Sequence, residues 1–269
     1  LRDTDPENPR PAAEWAKEIP RTCLCAGAVL RLRLSLAAWL DRWDARARRL
    51  AEKWGWPQAW LQEFQDYLGE PRMTPEEFWV RYTLKRMEAQ PRITGELSEA
   101  QALAFYRESD YMLWRNLVHR RHSAWRRVLV TMRGRRGILV EYGCGIAPIS
   151  AWVKRHKPAW RYILRDVEDS PHLRYARWRV KPAEDAFPNC DVLTLVDVLE
   201  HLEDPLKAVT TVIPWLNPGG YLHWNFVGNP RRNDLDLATP QQRNETVKYL
   251  DAVLDLVWEG AGYRVSRKR

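Results

Sequence analysis

The stretch GILVEYGCGIAPIS, from Gly137 to Ser150, constrains the fold more than any other part of this 269-residue chain. Its apolar run predicts a buried strand, its glycines predict a tight turn, and PISAWVKRH predicts a helix directly after the turn. A glycine turn between a strand and a helix lets backbone N–H groups approach a ligand closely. The stretch therefore predicts a pocket for a nucleotide-like cofactor.

The residues after Gly137 alternate between strand and helix patterns. The strand-like runs are GILVEY, RYILRD, ARWRV, CDVLTLVD, YLHWNFV and GYRVS, and Asn217-Pro218-Gly219-Gly220 predicts a turn. Helical patterns cover PISAWVKRH, DPLKAVTTVIPWL and a segment from about Thr239 to Glu259. This alternation predicts an α/β fold, a Rossmann-like and mostly parallel sheet with helices on both faces.

The residues before Gly137 carry only helical patterns. Gly69 ends one predicted helix, and Thr74-Pro75 begins the next, which runs to about Ala89. Ser98 begins a third that runs towards Met132, with a break near His122 as the alternative. We predict a loosely ordered segment over residues 1–20, a helical domain over residues 21–133 and the α/β domain over residues 134–269.

The spacing of the glycines distinguishes between cofactors. A dinucleotide pattern, G-x-G-x-x-G/A, would place Pro148 where a small residue is needed for close packing of helix on strand. The pattern E-x-G-x-G-x-A fits better, with Glu141, Gly143, Gly145 and Ala147.

Glu141-Tyr-Gly143-Cys-Gly145-Ile-Ala147 resembles the first motif of class I S-adenosylmethionine-dependent methyltransferases. Asp166 follows Gly145 by 21 residues and ends the second predicted strand. VDVLEHLEDP and LNPGG are similar to segments of the small-molecule branch, such as the ubiquinone-biosynthesis O-methyltransferases. The four motifs occur in order within residues 137–226, so the resemblance covers the α/β domain and not the helical half.

The resemblance implies S-adenosyl-L-methionine as the cofactor. It places the two glycines beneath the methionine end and Asp166 on the ribose hydroxyls, by the same logic as in dinucleotide folds. Pro182 stands where many members have an acid near adenine, so contact there falls to the backbone of Ala183 or to Glu184. The predicted cofactor-binding residues are Glu141, Gly143, Gly145, Asp166, Ala183, Glu184 and Asp197, the last with helix capping as its alternative.

The acceptor side is less constrained by motifs. His201 is the candidate general base because its ordinary pKa lies near neutrality, although packing within its loop is the alternative. Alternation along the predicted strand puts His223 and Asn225 on one face, so both approach the pocket or neither does. Tyr106 and Tyr111 are candidates to cover the cofactor, with burial in the helical core as the alternative.

Charge distribution leaves two other functions open. Residues 1–136 hold 25 Lys and Arg against 18 Asp and Glu, so this part carries +7 of the net charge of +8. A basic face from Arg115 to Arg136 could attract nucleic acid, although the D/N-P-P-Y motif of amino-methylating nucleic-acid enzymes is absent from the sequence. The main hypothesis is O-methylation of a small molecule; an RNA methyltransferase and a non-catalytic binding module are the alternatives.

The cysteines and the longest apolar run bear on the cellular compartment, metal binding and membrane contact. Four cysteines with no spaced framework predict a reducing, cytoplasmic location, and Cys23 and Cys25 lack the second pair that a metal site needs, so no metal is expected. The longest apolar run carries Arg31 and Arg33 near its middle, which argues against a transmembrane helix. Peripheral membrane contact stays open.

Overall fold

The structure is a computed structural model. It describes residues 58–70, 73–93, 97–119, 124–183, 189–226, 235–260 and 263–269. The chain divides into two compact units, Leu1–Leu84 and Lys85–Arg269. The expectations for residues 1–20, for the pair Cys23 and Cys25 and for the apolar run around Arg31 lie outside the described residues, and the predicted domain division stays a prediction. No helix in the described part of the chain has the length and apolar character needed to cross a membrane.

Two helices begin within the first unit, α1 (Gln58–Leu68) and α2 (Pro75–Ala89). Gly69 has a φ of 65°, which confirms its predicted role at the end of α1. Thr74 and Glu77 cap α2 reciprocally: the Thr74 N–H donates to Glu77 Oε2 over 2.7 Å, and the Glu77 N–H donates to Thr74 Oγ1 over 3.2 Å. The predicted start and end of α2 are therefore confirmed.

Three helices precede the sheet within the second unit, α3 (Glu99–Glu108), α4 (Asp110–His119) and α5 (Ala124–Thr131). Ser98 caps α3 in a capping box with Gln101, as its position in the sequence predicted. The helix expected to continue towards Met132 is divided, because Ser109 adopts an extended conformation between α3 and α4.

The second unit is built on a six-stranded sheet in the order β2-β1-β3-β4-β6-β5. The first four strands in chain order pair in parallel, whereas β6 pairs antiparallel with both β4 and β5. The strands are β1 (Ile138–Tyr142), β2 (Arg161–Arg165), β3 (Cys190–Leu195), β4 (Leu216–Trp224), β5 (Leu254–Gly260) and β6 (Tyr263–Lys268). The helices between them are α6 (Pro148–His156), α7 (Pro171–Val180), α8 (Pro205–Val212) and α9 (Pro240–Val253).

Each face of the sheet buries its own apolar layer. One layer joins the sheet to α5, α6 and α7 and includes Val128, Val153 and Ala176. The other joins it to α8 and α9 and includes Val209 and Leu250. Helices on both faces of a mostly parallel sheet confirm the predicted fold class.

Two predicted elements were wrong. ARWRV is not a strand but the end of α7, because Ser170 caps a helix whose apolar residues, such as Leu173, Ala176 and Val180, are buried at helical spacing. The helix expected to reach Glu259 ends at Val253, and the next seven residues form β5. The sheet consequently ends in an antiparallel hairpin, since β5 pairs with β6.

A third difference concerns the turn predicted at Asn217-Pro218-Gly219-Gly220. These residues lie within β4, where the pairing with β3 shifts register between Cys190 and Val192. The adjacent Asp191 accepts a hydrogen bond from Asn217 Nδ2 over 3.1 Å on one oxygen and from the Ile138 N–H over 2.9 Å on the other. Its carboxylate therefore joins the amino ends of three strands.

We expect Asp191→Ala to lower the free energy of unfolding by about 1.5 kcal/mol, because the Ile138 N–H and the Asn217 amide lose a charged acceptor. Urea denaturation measures this change. Asp255→Ala is the matched control, because it removes an exposed carboxylate that pairs only at the surface with Arg269 and should cost less than about 0.5 kcal/mol. Equal losses in the two variants would contradict the bridging role of Asp191.

Candidate functional site

The glycine turn after β1 is closed on both sides by side chains. Gly143 and Gly145 have φ values of 64° and 53°, which glycine adopts without strain. A methyl group added at Gly143 would lie 2.3 Å from Val198 Cγ2, and one added at Gly145 would lie 2.9 Å from Asn116 Nδ2. The turn therefore packs against α4 and against the segment after β3, and any side chain at these two positions would collide with them.

Glu141 anchors this turn to the helix that follows it. Its carboxylate is 3% exposed and accepts the N–H groups of Ile149 over 3.3 Å and Ser150 over 2.8 Å, in the first turn of α6. Burial raises the pKa of Glu141 to about 7, although the bonds from Ser150 and Ile149 oppose the rise. The contacts of Glu141 brace the turn, and its predicted contact with a cofactor stays a prediction.

Asp166 joins the end of β2 to the same turn. Its Oδ2 accepts the Gly145 N–H over 2.7 Å, and its Oδ1 accepts the Val167 N–H over 2.7 Å and His172 Nε2 over 2.9 Å. Burial alone would raise the pKa of Asp166, but the hydrogen bond and charge of His172, followed by the two N–H groups, hold it below its usual range. An ionised acceptor therefore lies beside the glycine turn, where the sequence placed it.

Tyr106 of α3 lies in this region. Its ring centroid is 6.2 Å from that of His172, in an edge-on arrangement. Burial raises the pKa of Tyr106 strongly; the charge of Arg115 opposes the rise, whereas the carboxyl groups of Asp166, Asp236 and Glu200 add to it. Tyr106 is therefore close to residues that follow both β2 and β3. Tyr111, the other candidate, is 7% exposed and belongs to the buried core of α4.

Asp197 and Asn225 contact each other across the ends of β3 and β4. The Asp197 N–H donates to Asn225 Oδ1 over 2.7 Å, and Asn225 Nδ2 donates to Asp197 Oδ1 over 2.6 Å. Asp197 has a positive φ of 55°, so this exchange holds it in a conformation that is rare outside glycine. Ligand contacts by these two residues stay predictions, because the bonds described here are to each other.

His223, which sequence alternation placed on one face with Asn225, is fully buried. Its Nε2 lies 2.7 Å from Thr131 Oγ1 of α5, and its Nδ1 lies 2.7 Å from the Tyr263 hydroxyl of β6. Burial lowers the pKa of His223 to about 3, and the charge of Arg127 contributes to the shift. His223 is therefore a neutral histidine that ties the sheet to α5.

His201 ends a short 3₁₀ turn, Leu199–His201, after β3. Its Nδ1 lies 3.1 Å from the Leu235 carbonyl oxygen and 3.2 Å from Asp236 Oδ1. Burial lowers the pKa of His201, but the hydrogen bond that its ring donates to Asp236 and the charge of Glu200 raise it more, so the net shift is upward. The two contacts at Nδ1 favour the tautomer in which Nε2 is the proton acceptor.

Glu200 lies beside His201 and is 2% exposed. Burial raises the pKa of its carboxyl group, while the charge of His201 opposes the rise. Its Oε2 is buried and has no hydrogen-bond partner among the residues that the structure describes. Its backbone oxygen accepts the N–H groups of Leu237 and Ala238, which holds the Asp236 segment against the 3₁₀ turn.

Sequence reasoning missed three residues of this region: Asn116, His172 and Asp236. No motif contains Asn116 or Asp236, and both reach the site only through the tertiary fold. His172 had a detectable signal, because a histidine in the first turn of the helix after Asp166 stands close to that acid. Of the two candidates near adenine, the Ala183 N–H donates to the Tyr162 carbonyl over 2.9 Å, and Glu184 lies outside the described residues.

The predicted basic face is partly occupied by aromatic contacts. The Arg127 guanidinium lies 3.7 Å from the ring centroid of Trp258, and that of Arg133 lies 5.3 Å from the ring centroid of Tyr221. Arg120 and Arg121 are outside the described residues. Among the residues that the structure describes, no group of three or more His, Cys, Asp and Glu side chains is arranged to hold a metal ion.

The donor and acceptor groups suit a ligand with sugar hydroxyls and a positive centre. Asp166 keeps one lone pair after its three hydrogen bonds, since a carboxylate accepts about four. Glu200 and Asp236 add buried acidic groups. A nucleoside with a cationic substituent fits this set of groups.

A family model described as a methyltransferase domain matches residues 117–266, which is more than half of the chain. No curated protein matches the sequence significantly. The family match covers β1 to β5, the helices between them and the first four residues of β6.

Several solved structures resemble this chain. An O-methyltransferase family protein from Burkholderia thailandensis is 16% identical, with a TM-score of 0.48 over 72% of this chain and 71% of that chain. Magnesium protoporphyrin IX methyltransferase from Synechocystis PCC 6803, solved with bound SAM, is 13% identical, with a TM-score of 0.47 over 65% of this chain and 97% of that chain. An amino pentose methyltransferase from Micromonospora echinaspora is 14% identical, with a TM-score of 0.43 over 58% of this chain and 97% of that chain.

We expect Glu141 to make the free energy of unfolding depend on pH. Its folded pKa of about 7 lies above the ordinary value of 4.5, so the native state binds the proton more tightly than the unfolded state does. The resulting stabilisation is present below the unfolded pKa and is lost, by on the order of 3 kcal/mol, as the pH rises through about 7.

Glu141→Gln should remove this loss, because the amide keeps an oxygen acceptor and never ionises. Urea denaturation at about pH 5 and about pH 8 compares the variant with the wild type. Glu168→Gln is the matched control, because that carboxylate is exposed and pairs with Arg177 at the surface. A pH dependence shared by the wild type and Glu141→Gln would show that Glu141 does not titrate in this range.

Proposed function

Because this chain belongs to the methyltransferase-domain family, we propose that it transfers the methyl group of S-adenosyl-L-methionine to an oxygen atom of a small-molecule acceptor. The observation that carries the proposal is the hydrogen bond between Asp166 and the Gly145 N–H, which puts an ionised acceptor directly beside the glycine turn.

The cofactor would lie over the turn between β1 and α6. Gly143 and Gly145 would pass beneath its methionine end, and the remaining lone pair of Asp166 Oδ2 would accept a ribose hydroxyl. The backbone around Ala183, or Glu184, would meet the adenine. When bound, the cofactor supplies a methyl group already activated by the sulfonium charge.

Transfer of such a methyl group is an in-line displacement, so the protein contributes mainly by positioning the acceptor and excluding water. Tyr106 supports this role, because its ring lies edge-on to that of His172 and comes from a helix before the sheet. In this proposal α3 and α4 cover the cofactor and form part of the acceptor pocket, with Tyr106, Tyr111 and Asn225 as its candidate residues.

His201 would take the proton from the acceptor hydroxyl. Asp236 and the Leu235 carbonyl engage Nδ1, which leaves Nε2 as the basic atom. A carboxylate beside the far nitrogen of a histidine orients the ring and stabilises the imidazolium that forms when it accepts a proton. Asp236 is therefore proposed as the residue that positions His201.

The alternatives remain predictions with less support. An RNA methyltransferase would need the arginine face for phosphates, but the guanidinium groups of Arg127 and Arg133 already lie over aromatic rings of the sheet. A non-catalytic module would not need the Asp236–His201 pair. Peripheral membrane contact and the cytoplasmic location also stay predictions.

Calorimetry with S-adenosylhomocysteine tests the cofactor site. We expect the wild type to bind it and Asp166→Asn to bind it at least about tenfold more weakly, because the amide replaces an ionised acceptor. Asp169→Asn is the matched control: it neutralises an acid three residues further on and should leave the affinity unchanged. No binding of either S-adenosylhomocysteine or S-adenosylmethionine to the wild type would refute the proposed function.

Transfer of a radiolabelled methyl group to a panel of hydroxylated small molecules tests the acceptor side. We expect His201→Gln to lower kcat by about a hundredfold or more while binding S-adenosylhomocysteine normally. In the wild type kcat should rise with pH through a pKa above 6.5, because His201 must lose its proton, and Asp236→Asn should move this inflection to lower pH. His156→Gln, an exposed histidine on α6, is the control, and an unchanged kcat in His201→Gln would exclude His201 as the base.

A further inference from the structure

We propose that His172 is a positioning residue for the cofactor: its Nε2 holds Asp166 Oδ1 so that Oδ2 faces the bound ribose. The inference rests on the proposed cofactor role of Asp166. It assigns a function to a histidine that no motif of the sequence singled out.

The hydrogen bonds of Asp166 show why a second residue is needed. Oδ1 accepts two bonds, from the Val167 N–H and from His172, whereas Oδ2 accepts one, from the Gly145 N–H. Since each carboxylate oxygen has two lone pairs, the remaining acceptor site is on Oδ2. Without His172, the carboxylate would be held by backbone groups alone and could turn about its terminal bond.

His172 is itself held in place from three directions. It lies in the first turn of α7, its Nε2 is 3.1 Å from Ser170 Oγ, and the Tyr106 ring lies edge-on with centroids 6.2 Å apart. Its side chain is 2% exposed. The ring therefore keeps its nitrogen aimed at Asp166.

Packing alone does not account for a histidine at this position. Within the described part of the chain its Nδ1 is buried without a hydrogen-bond partner, which destabilises the native state. A phenylalanine would fill the same space without burying a polar atom. The Nε2 contact with Asp166 is the interaction that only the histidine supplies.

The charge of Asp166 depends on the same contact. Burial is the largest influence on its pKa and acts upward, and the hydrogen bond and charge of His172 are the next largest and act downward. The other titratable groups that face Asp166 are Tyr106 of α3, Tyr142 of β1 and Cys144 of the turn, and the pKa of each is raised. These three groups stay neutral between about pH 5 and pH 8. If His172 were lost, none of them would oppose the upward effect of burial on the pKa of Asp166.

Two amide substitutions separate the hydrogen bond from the general effect of replacing His172. In His172→Gln the amide nitrogen occupies the position of Nε2 and keeps the bond to Asp166, whereas in His172→Asn it occupies the position of Nδ1 and does not. By calorimetry with S-adenosylhomocysteine near pH 7.5, we expect His172→Asn to bind roughly tenfold more weakly and His172→Gln to stay within about threefold of the wild type.

The pH dependence supplies a readout that a structural role would not change. Wild-type affinity should be constant from about pH 8 to pH 5, whereas that of His172→Asn should fall with the pH because the buried Asp166 takes up a proton. Asp204→Ala is the control for stability: it removes the cap of α8, which packs on the other face of the sheet from α7, and should bind like the wild type.

Each outcome decides one question. Equal affinities and equal pH profiles for His172→Asn and His172→Gln would overturn the role of His172 and leave the proposed function intact. Loss of affinity in Asp204→Ala equal to that in His172→Asn would also overturn it, because the effect would then follow the stability of the fold. No binding by the wild type would remove both this inference and the proposed function.

Discussion

The hydrogen bond from the Gly145 N–H to Asp166 is the interaction on which the rest of the site depends. It joins the turn after β1 to the end of the neighbouring parallel strand β2, and it forms because Gly145 adopts a positive φ. The space that a side chain would need at Gly145 is occupied by Asn116 of α4. The hydrogen bond thus holds the turn and the acid together, and the contact with Asn116 packs α4 against the same turn.

The polar residues at the carboxyl ends of the strands all brace backbone or one another. Glu141 holds the first turn of α6, Asp166 holds the glycine turn, and Asp197 exchanges two hydrogen bonds with Asn225. A site whose polar groups are already fixed loses less conformational entropy when a ligand binds. Glu141, Asp166 and Asp197, which the sequence predicts to contact a cofactor, therefore also hold the backbone around the proposed binding site.

Sequence patterns correctly predicted the helix ends and the turn that depend only on neighbouring residues. The caps at Thr74 and Ser98, the helix end at Gly69 and the glycine turn all follow from residues within four positions of one another. The errors arose where tertiary context decides: ARWRV alternates like a strand but is capped as a helix, and β5 is a strand because β6 pairs with it. Asp236 became recognisable only once the fold placed it beside His201, whereas His172 had a sequence signal in its position six residues after Asp166.

The cofactor side and the acceptor side of the proposed site differ in how far sequence spacing predicts their residues. The residues around the turn lie between Glu141 and His172, in a single strand–helix–strand–helix segment, so their spacing in the sequence carries information. The residues on the proposed acceptor side lie on four separate segments of the chain. They are Tyr106, the pair Glu200 and His201, Asn225, and Asp236. Each of these segments can change its side chains without disturbing the glycine turn. The sequence consequently identifies a cofactor more readily than it identifies an acceptor.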